Sequence, residues 1–180
     1  MKEKMWQLEL IAMMVSKLLL FDFSASDDWS AWEIENDVVM GGNSSSKLER
    51  SAEGIAIFKG KVSLENNGGF ASLQYHFSTK TIKGYKKALI LLKGDGKAYQ
   101  FRMKSSLKDK ASYIYTFQTT GDWETVEVPL NEMEPVFRGK KLDLPNFSAD
   151  TIQEIRFLIG NKKAEDFRLE IKKIELDRNQ

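Results

Sequence analysis

The side chains best suited to bind a ligand stand near the start of the chain. Trp29 and Trp32 lie a few residues before the pair Asn36 and Asp37. An exposed indole ring can stack on a sugar, while amide and carboxylate groups hydrogen-bond the sugar hydroxyls. The grouping is therefore compatible with a glycan-binding site. Because tryptophan is highly buried on average, the favoured alternative is that both indoles belong to the core.

Several oxygen-bearing side chains could hold a calcium ion, which takes six to eight oxygen ligands. Asp37, Glu65, Asn66, Asn67 and Asp95 are of this type, but their spacing is not that of an EF-hand. Asp and Asn side chains also hydrogen-bond the backbone of nearby turns. We therefore favour a structural role and expect no metal site, with a structural calcium near Asp37 and Glu65 as the alternative.

The residue combinations of common catalytic sites are missing. The chain has no cysteine and one histidine, which excludes disulfides, thiolate zinc sites, cysteine nucleophiles and histidine-rich metal sites. His76 is predicted to lie at the surface, and no G-x-S-x-G nucleophile motif accompanies it. Glu132 and Glu134 lie in a predicted loop and are interpreted as solvated rather than as a glycosidase pair. We expect neither an enzyme nor a cofactor.

The charge balance limits the possible partners. Lysine and arginine number 27 and aspartate and glutamate 26, so the net charge of +1 gives no field for a nucleic acid or an anionic membrane surface. The uncharged run of residues 10–16 is too short to cross a bilayer. Residues 1–17 match neither a secretory signal nor a transit peptide well, and we interpret them as an extension or short helix. The expectation is a cytoplasmic protein without membrane insertion.

From residue 18 onward, short apolar or alternating runs are separated by Gly, Asn, Asp and Ser, a pattern typical of strands and turns. Ala71, Leu73, Tyr75 and Phe77 share one side of their strand and are predicted to face the core. Without long helical periods, the sheets are expected to be antiparallel. The predicted strands are 18–23, 54–64, 70–77, 88–93, 98–104, 112–118, 123–129, 152–159 and 167–176.

Two connections between these strands carry specific predictions. Gly94-Asp95-Gly96 is interpreted as a hairpin turn that pairs the strands on either side of it. Residues 131–149 hold two of the three prolines and are predicted to be a long, weakly ordered connection. Strands of this number form a barrel or a jelly-roll sandwich. The sequence thus predicts one all-β domain over residues 18–180.

Glycines concentrate in one part of the chain. Six of the twelve lie within residues 41–69, including the pairs Gly41-Gly42 and Gly68-Gly69. Paired glycines permit positive φ angles or a close backbone approach. Neither a Walker motif nor a G-x-G-x-x-G motif is present, so a phosphate loop is disfavoured. The apolar residues 38–40 before the first pair could form a buried plug or an exposed partner-binding lip, and we favour the plug.

These motifs resemble the complex I intermediate-associated protein 30 (CIA30) family. The strongest matches are Trp32-x-x-x-Asn36-Asp37-Val38-Val39-Met40-Gly41-Gly42-x-Ser44 and Asn66-Asn67-Gly68-Gly69-Phe70-Ala71-Ser72. Shorter matches follow in the same order, such as Lys93-Gly94-Asp95-Gly96-x-x-Tyr99 and Trp123-x-x-Val126-x-Val128-Pro129. The resemblance covers about residues 19–176.

The resemblance implies a galactose-binding-domain-like jelly-roll β-sandwich. Eukaryotic members of the family are mitochondrial chaperones for assembly of the NADH:ubiquinone oxidoreductase, and they act by binding. We therefore predict a non-catalytic binding or assembly protein whose partner is a protein, such as a membrane-complex assembly intermediate. The alternative is a carbohydrate-binding module. The candidate contact residues are Trp29, Trp32, Asn36, Asp37, Met40, Gly41, Gly42, Ser44, Asn66, Asn67, Gly68 and Gly69.

Overall fold

Two antiparallel sheets carry nearly all the regular structure. The computed structural model describes residues 16–179, so the predicted N-terminal helix falls almost entirely outside the described residues. Three short 3₁₀ helices, Asp37–Met40, Glu65–Asn67 and Leu130–Glu132, connect strands. The strands are β1 Lys17–Asp22, β2 Trp32–Asn36, β3 Ser45–Arg50, β4 Ala56–Val62, β5 Ala71–Thr81, β6 Lys87–Lys93, β7 Ala98–Lys104, β8 Ser112–Gln118, β9 Trp123–Pro129, β10 Glu134–Phe137, β11 Lys140–Lys141, β12 Thr151–Ile159 and β13 Glu165–Asp177.

The sheets stack as a β-sandwich, as the sequence predicts. The six-stranded sheet has the order β3-β4-β13-β6-β9, and β1 also pairs with β13. The seven-stranded sheet has the order β11-β10-β8-β7-β12-β5-β2. Most neighbours in each sheet are distant in sequence, which is the arrangement of a jelly roll.

The core lies between the sheets and follows from alternation along the strands. In β7, Tyr99, Phe101 and Met103 are fully buried, whereas the residues between them face outward. In the opposite sheet, Ile90 and Leu92 of β6 are also fully buried. Each such side chain contributes about 1.5–3 kcal/mol on burial. The predicted inward set of β5 is confirmed in part, since Ala71 and Leu73 are fully buried and Tyr75 and Phe77 are partly buried against the core.

The predicted hairpin at residues 94–96 is wrong, because β6 and β7 belong to different sheets. The segment instead crosses from one sheet to the other, a separation of about 10 Å. Asp95 anchors the crossing, accepting hydrogen bonds from the Tyr99 hydroxyl at 3.0 Å and the Arg168 backbone N–H at 2.9 Å. A side chain at Gly94 would collide with Thr119 at 2.3 Å. The two glycines therefore serve a crossover rather than a two-strand turn.

The strands that the sequence pattern missed are short and lie toward the sheet edges. β3 contains a single apolar residue, Leu48, and β2 alternates over only five residues. The connection over residues 131–149 was predicted to be weakly ordered, but it contains β10 and the two-residue β11. Within residues 16–179, no helix has the length and apolar character needed to span a bilayer.

Candidate functional site

The buried carboxylate of Asp37 organises the loops at one end of the sandwich. Asp37 is completely buried at the end of β2. One carboxylate oxygen accepts the Ser44 backbone N–H at 2.9 Å, and the other accepts those of Gly69 at 2.6 Å and Phe70 at 3.3 Å. The Ser44 hydroxyl donates a further hydrogen bond to the second oxygen. Asp37 thus ties together residues 37–44 and 68–70.

These donors also set the charge of Asp37. Burial raises the pKa of the carboxyl, but the hydrogen bonds from the Ser44 hydroxyl and the backbone N–H groups outweigh it and lower the pKa below its ordinary value of 3.8. The group is therefore ionised at neutral pH. Its oxygens are occupied by N–H and O–H donors, and residues 16–179 contain no group of three His, Cys, Asp or Glu side chains placed to hold a metal ion. The hydrogen-bonding interpretation of Asp37 is the one the geometry supports.

The paired glycines make room for this carboxylate. A Cβ at Gly42 would lie 2.4 Å from the Asp37 Cγ, and one at Gly68 would lie 2.5 Å from its Oδ2. Such distances exclude any side chain at either position without displacing Asp37. Gly41 ends the 3₁₀ helix in a left-handed conformation with φ of 90°. The two glycine pairs are therefore a folding device that packs two loops around one buried charge.

The outer surface of the same loops is apolar. We call residues 36–44 and 63–70 the rim. Val38, Val39 and Met40 are 60%, 69% and 60% exposed, and Leu64 is 46% exposed. The predicted buried plug at residues 38–40 is thus wrong. The 3₁₀ helix buries only Asp37, which turns its three apolar side chains toward solvent.

Polar groups complete the rim. Asn36 accepts a hydrogen bond from the Ser46 hydroxyl at 2.7 Å, and Asn43 donates one to Glu65 at 2.7 Å. Asn66 and Asn67 are exposed and hold left-handed conformations, with φ of 54° and 59°. Next to them is an open pocket of about 620 Å³, lined by Asn43, Lys61, Ser63, Leu64, Glu65 and Ala164.

Neither candidate tryptophan offers an open face for a sugar. Trp32 is 6% exposed and stacks on Tyr75, with ring centroids 4.9 Å apart, so it belongs to the core. Trp29 is partly buried edge-on against Phe23, and its indole N–H donates to the Ser26 carbonyl at 3.0 Å. The Arg50 guanidinium covers the Trp29 ring at 4.9 Å. Both side chains serve packing.

A second polar surface lies on the outer face of the seven-stranded sheet. Glu154 is only 3% exposed and accepts the Arg156 Nε–H at 3.0 Å. The other oxygen of Glu154 lies 3.1 Å from the His76 ring nitrogen, so the predicted surface histidine is tied into this network. Arg156 also pairs with Glu35 at 3.3 Å and hydrogen-bonds Gln74. Sequence reasoning missed this network, because its members come from separate strands.

Strand register aligns one row of side chains across that face. Each member pairs with the next in the neighbouring strand and so points to the same side of the sheet. The central row consists of Glu134, Ile114, Arg102, Arg156, Gln74 and Glu33. Its five strand spacings extend over about 24 Å.

The model of the family "Complex I intermediate-associated protein 30 (CIA30)" matches residues 21–171, which is most of the chain. The chain belongs to the CIA30 family. The resemblance to this family is thereby confirmed, and the buried Asp37 explains the glycines that surround it in this chain. No curated protein sequence matches the chain significantly.

Solved structures place this CIA30 domain among jelly-roll modules. A family 11 carbohydrate-binding module from Clostridium thermocellum, in complex with a β-1,3-1,4-mixed-linked tetrasaccharide, has a TM-score of 0.66 at 18% identity, covering 90% of this chain and 95% of that one. The agarase AgWH50C has a TM-score of 0.60 at 14% identity, covering 92% of this chain and 25% of the enzyme. A single-site mutant of a family 29 carbohydrate-binding module has a TM-score of 0.54 at 12% identity, with coverages of 91% and 86%. At these identities the likeness shows the fold alone.

Proposed function

We propose that the protein is a non-catalytic binding or assembly protein that contacts a protein partner through the rim. The observation that carries this proposal is the exposure of Val38, Val39, Met40 and Leu64 on loops held by a fully hydrogen-bonded carboxylate. Val38, Val39 and Met40 follow one another in the chain, and contiguous exposed apolar groups are characteristic of interaction sites. Membership of the CIA30 family supports an assembly role, with a membrane-complex intermediate as the partner.

The geometry of the rim favours binding for a further reason. Asp37 fixes the backbone on which the apolar side chains stand, so less conformational freedom is lost when a partner binds. Methionine and valine supply contact area, and methionine adapts to irregular surfaces. The exposed amides of Asn66 and Asn67 supply hydrogen bonds at the edge of the contact.

The test is a double substitution, Val39→Ser with Met40→Ser, in the full chain. Affinity purification from the native host identifies partners of the unaltered protein, and binding of each variant to the purified partner is then measured. We expect the double variant to bind at least about tenfold more weakly. Because both side chains are exposed, its free energy of unfolding should change by less than about 0.5 kcal/mol.

Leu144→Ser is the matched control, because Leu144 is 52% exposed but lies outside the rim. It should leave binding unchanged. Equal loss of binding in the control and the double variant would contradict a rim contact. So would normal assembly of respiratory complexes in cells that lack the gene, together with no reproducible partner.

A second candidate function, glycan binding, is favoured by the polar outer face of the seven-stranded sheet. The likeness to carbohydrate-binding modules supports this candidate, one of them solved with a bound tetrasaccharide. The two candidate tryptophans do not supply an open face for this binding, because Trp32 is buried and Trp29 is covered by Arg50. A glycan array tests the candidate, and binding to no glycan on the array would remove it.

A further inference from the structure

Arg102 stands out on the outer face because its charge has no ionic partner. Its guanidinium donates from Nε at 3.0 Å and from one terminal nitrogen at 2.6 Å, both to the side-chain oxygen of Gln100. Within residues 16–179, no carboxylate forms an ion pair with Arg102, and the other terminal nitrogen has no hydrogen-bond acceptor. One terminal nitrogen of the Arg102 guanidinium is therefore free to donate hydrogen bonds to a ligand.

The neighbouring arginine, Arg156, forms the ion pairs that Arg102 lacks. Arg156, directly opposite Arg102 in the adjacent strand, pairs with both Glu154 and Glu35. The Gln74 and Ser72 oxygens also accept hydrogen bonds from Arg156. Two guanidinium groups thus stand side by side, one with a complete set of partners and the other without.

This arrangement costs free energy in the unliganded protein. Burial, followed by repulsion from Arg156, lowers the pKa of the Arg102 guanidinium to about 10. Attraction from the Glu154 and Glu35 carboxylates offsets part of this shift in the pKa. The group is still charged at neutral pH, and it is a partly desolvated cation without a direct salt bridge of its own. A bound anion would supply the missing charge and the missing acceptor together.

We propose that the outer face of the seven-stranded sheet binds an acidic sugar, with Arg102 as the anchor for the carboxylate of a uronic acid. The free edge of the Arg102 fork suits the planar geometry of a carboxylate. Glu33 and Glu35 lie on the same face and accept hydrogen bonds from sugar hydroxyls. Ile114, partly buried opposite Arg102 in β8, provides an apolar contact for the ring carbons.

The surrounding charges favour an acidic sugar over an acidic peptide. Three carboxylates lie on the same face as the arginines: Glu154 is on β12 with Arg156, and Glu33 and Glu35 are on β2, two strands from β12. An acidic peptide presents several carboxylates in succession, and these glutamates would repel all but one. A uronic acid presents one carboxylate flanked by hydroxyl donors, which matches an isolated cation surrounded by acceptors.

This inference rests on the second candidate function, glycan binding, and is independent of partner binding at the rim. The probe is an aldotriouronic acid, a trisaccharide with a single uronic acid, and the matched probe is its methyl ester, which keeps the hydroxyls and loses the charge. Titration calorimetry with the full chain measures affinity, while amide shifts of β7 and β12 locate the site. We expect the ester to bind at least about tenfold more weakly than the acid.

Arg102→Gln should weaken binding of the aldotriouronic acid by at least about tenfold. Arg168→Gln is the control, because Arg168 carries the same charge on the other sheet and is paired with Glu170. It should keep the affinity within about twofold, since exposed charges contribute little. Thermal unfolding of Arg102→Gln verifies that the variant is folded. The rim double variant should bind the trisaccharide normally.

Each remaining outcome would overturn the inference. The inference fails if the unaltered chain does not bind the aldotriouronic acid, if the acid and the ester bind equally, or if Arg168→Gln has the same effect as Arg102→Gln. Hexaglutamate bound as tightly as the sugar, with the same dependence on Arg102, would assign the site to an acidic peptide instead. If the chain binds neutral glycans and Arg102→Gln does not change their affinity, glycan binding would stand as a function and the acidic-sugar inference would be rejected.

Discussion

Asp37 and Arg102 are both charged side chains withdrawn from water, but their surroundings differ. Asp37 accepts hydrogen bonds from three backbone N–H groups and a hydroxyl. Arg102 donates only to the neutral oxygen of Gln100. A buried charge with every partner in place stabilises the fold, whereas one that lacks partners costs free energy until a ligand supplies them. The contrast separates a structural charge from one that is available for binding.

The largest effect is expected from Asp37→Asn. The amide NH₂ of asparagine would face N–H groups that need an acceptor, and the negative charge that strengthens these hydrogen bonds would be lost. We expect the free energy of unfolding to fall by about 3 kcal/mol at neutral pH. Urea denaturation measures it. A loss below about 1 kcal/mol would show that the hydrogen bonds of Asp37 contribute little.

The contribution of Asp37 should also depend on pH. Its pKa is lower in the folded chain than the ordinary value of 3.8, so the unfolded chain binds the proton more tightly. The stabilisation is therefore present above about pH 4 and is lost as the pH falls through the folded pKa. The stability difference between the unaltered chain and Asp37→Asn should narrow on acidification. A constant difference between pH 6 and pH 2 would contradict this assignment.

Substitution of the glycines around Asp37 should lower the free energy of unfolding by smaller amounts, which differ between the two positions of one pair. Gly42→Ala places a methyl group on the Asp37 carboxyl carbon and should cost about 2 kcal/mol through overpacking. Gly41→Ala meets no atom within 4 Å, so only its φ of 90° opposes the substitution, at about 1 kcal/mol. Thermal or urea unfolding of the two variants compares them. A greater loss for Gly41→Ala would mean that conformation, rather than close approach, requires the glycine pair.

The fold could be predicted from the sequence wherever alternation was clear. The bounds predicted for β7, β8 and β9 are those of the structure. Burial alternates along the whole of β7, whereas the first four residues of β8 are all partly buried. Local composition could not show which way residues 38–40 face, since that depends on Asp37 reaching Gly69 and Phe70, about thirty residues away. Local composition also could not predict that Arg102 and Arg156 are neighbours, because only the register of β7 and β12 brings them together.

The smallest predicted change gives the most direct test of the contrast. The free energy of unfolding of Arg102→Gln is compared with those of the unaltered chain and Asp37→Asn in one urea series at pH 7. Because Arg102 has no ionic partner to lose, we expect Arg102→Gln to stay within about 0.5 kcal/mol of the unaltered chain, while Asp37→Asn loses about 3 kcal/mol. A loss for Arg102→Gln approaching that of Asp37→Asn would make Arg102 a structural charge and contradict the account.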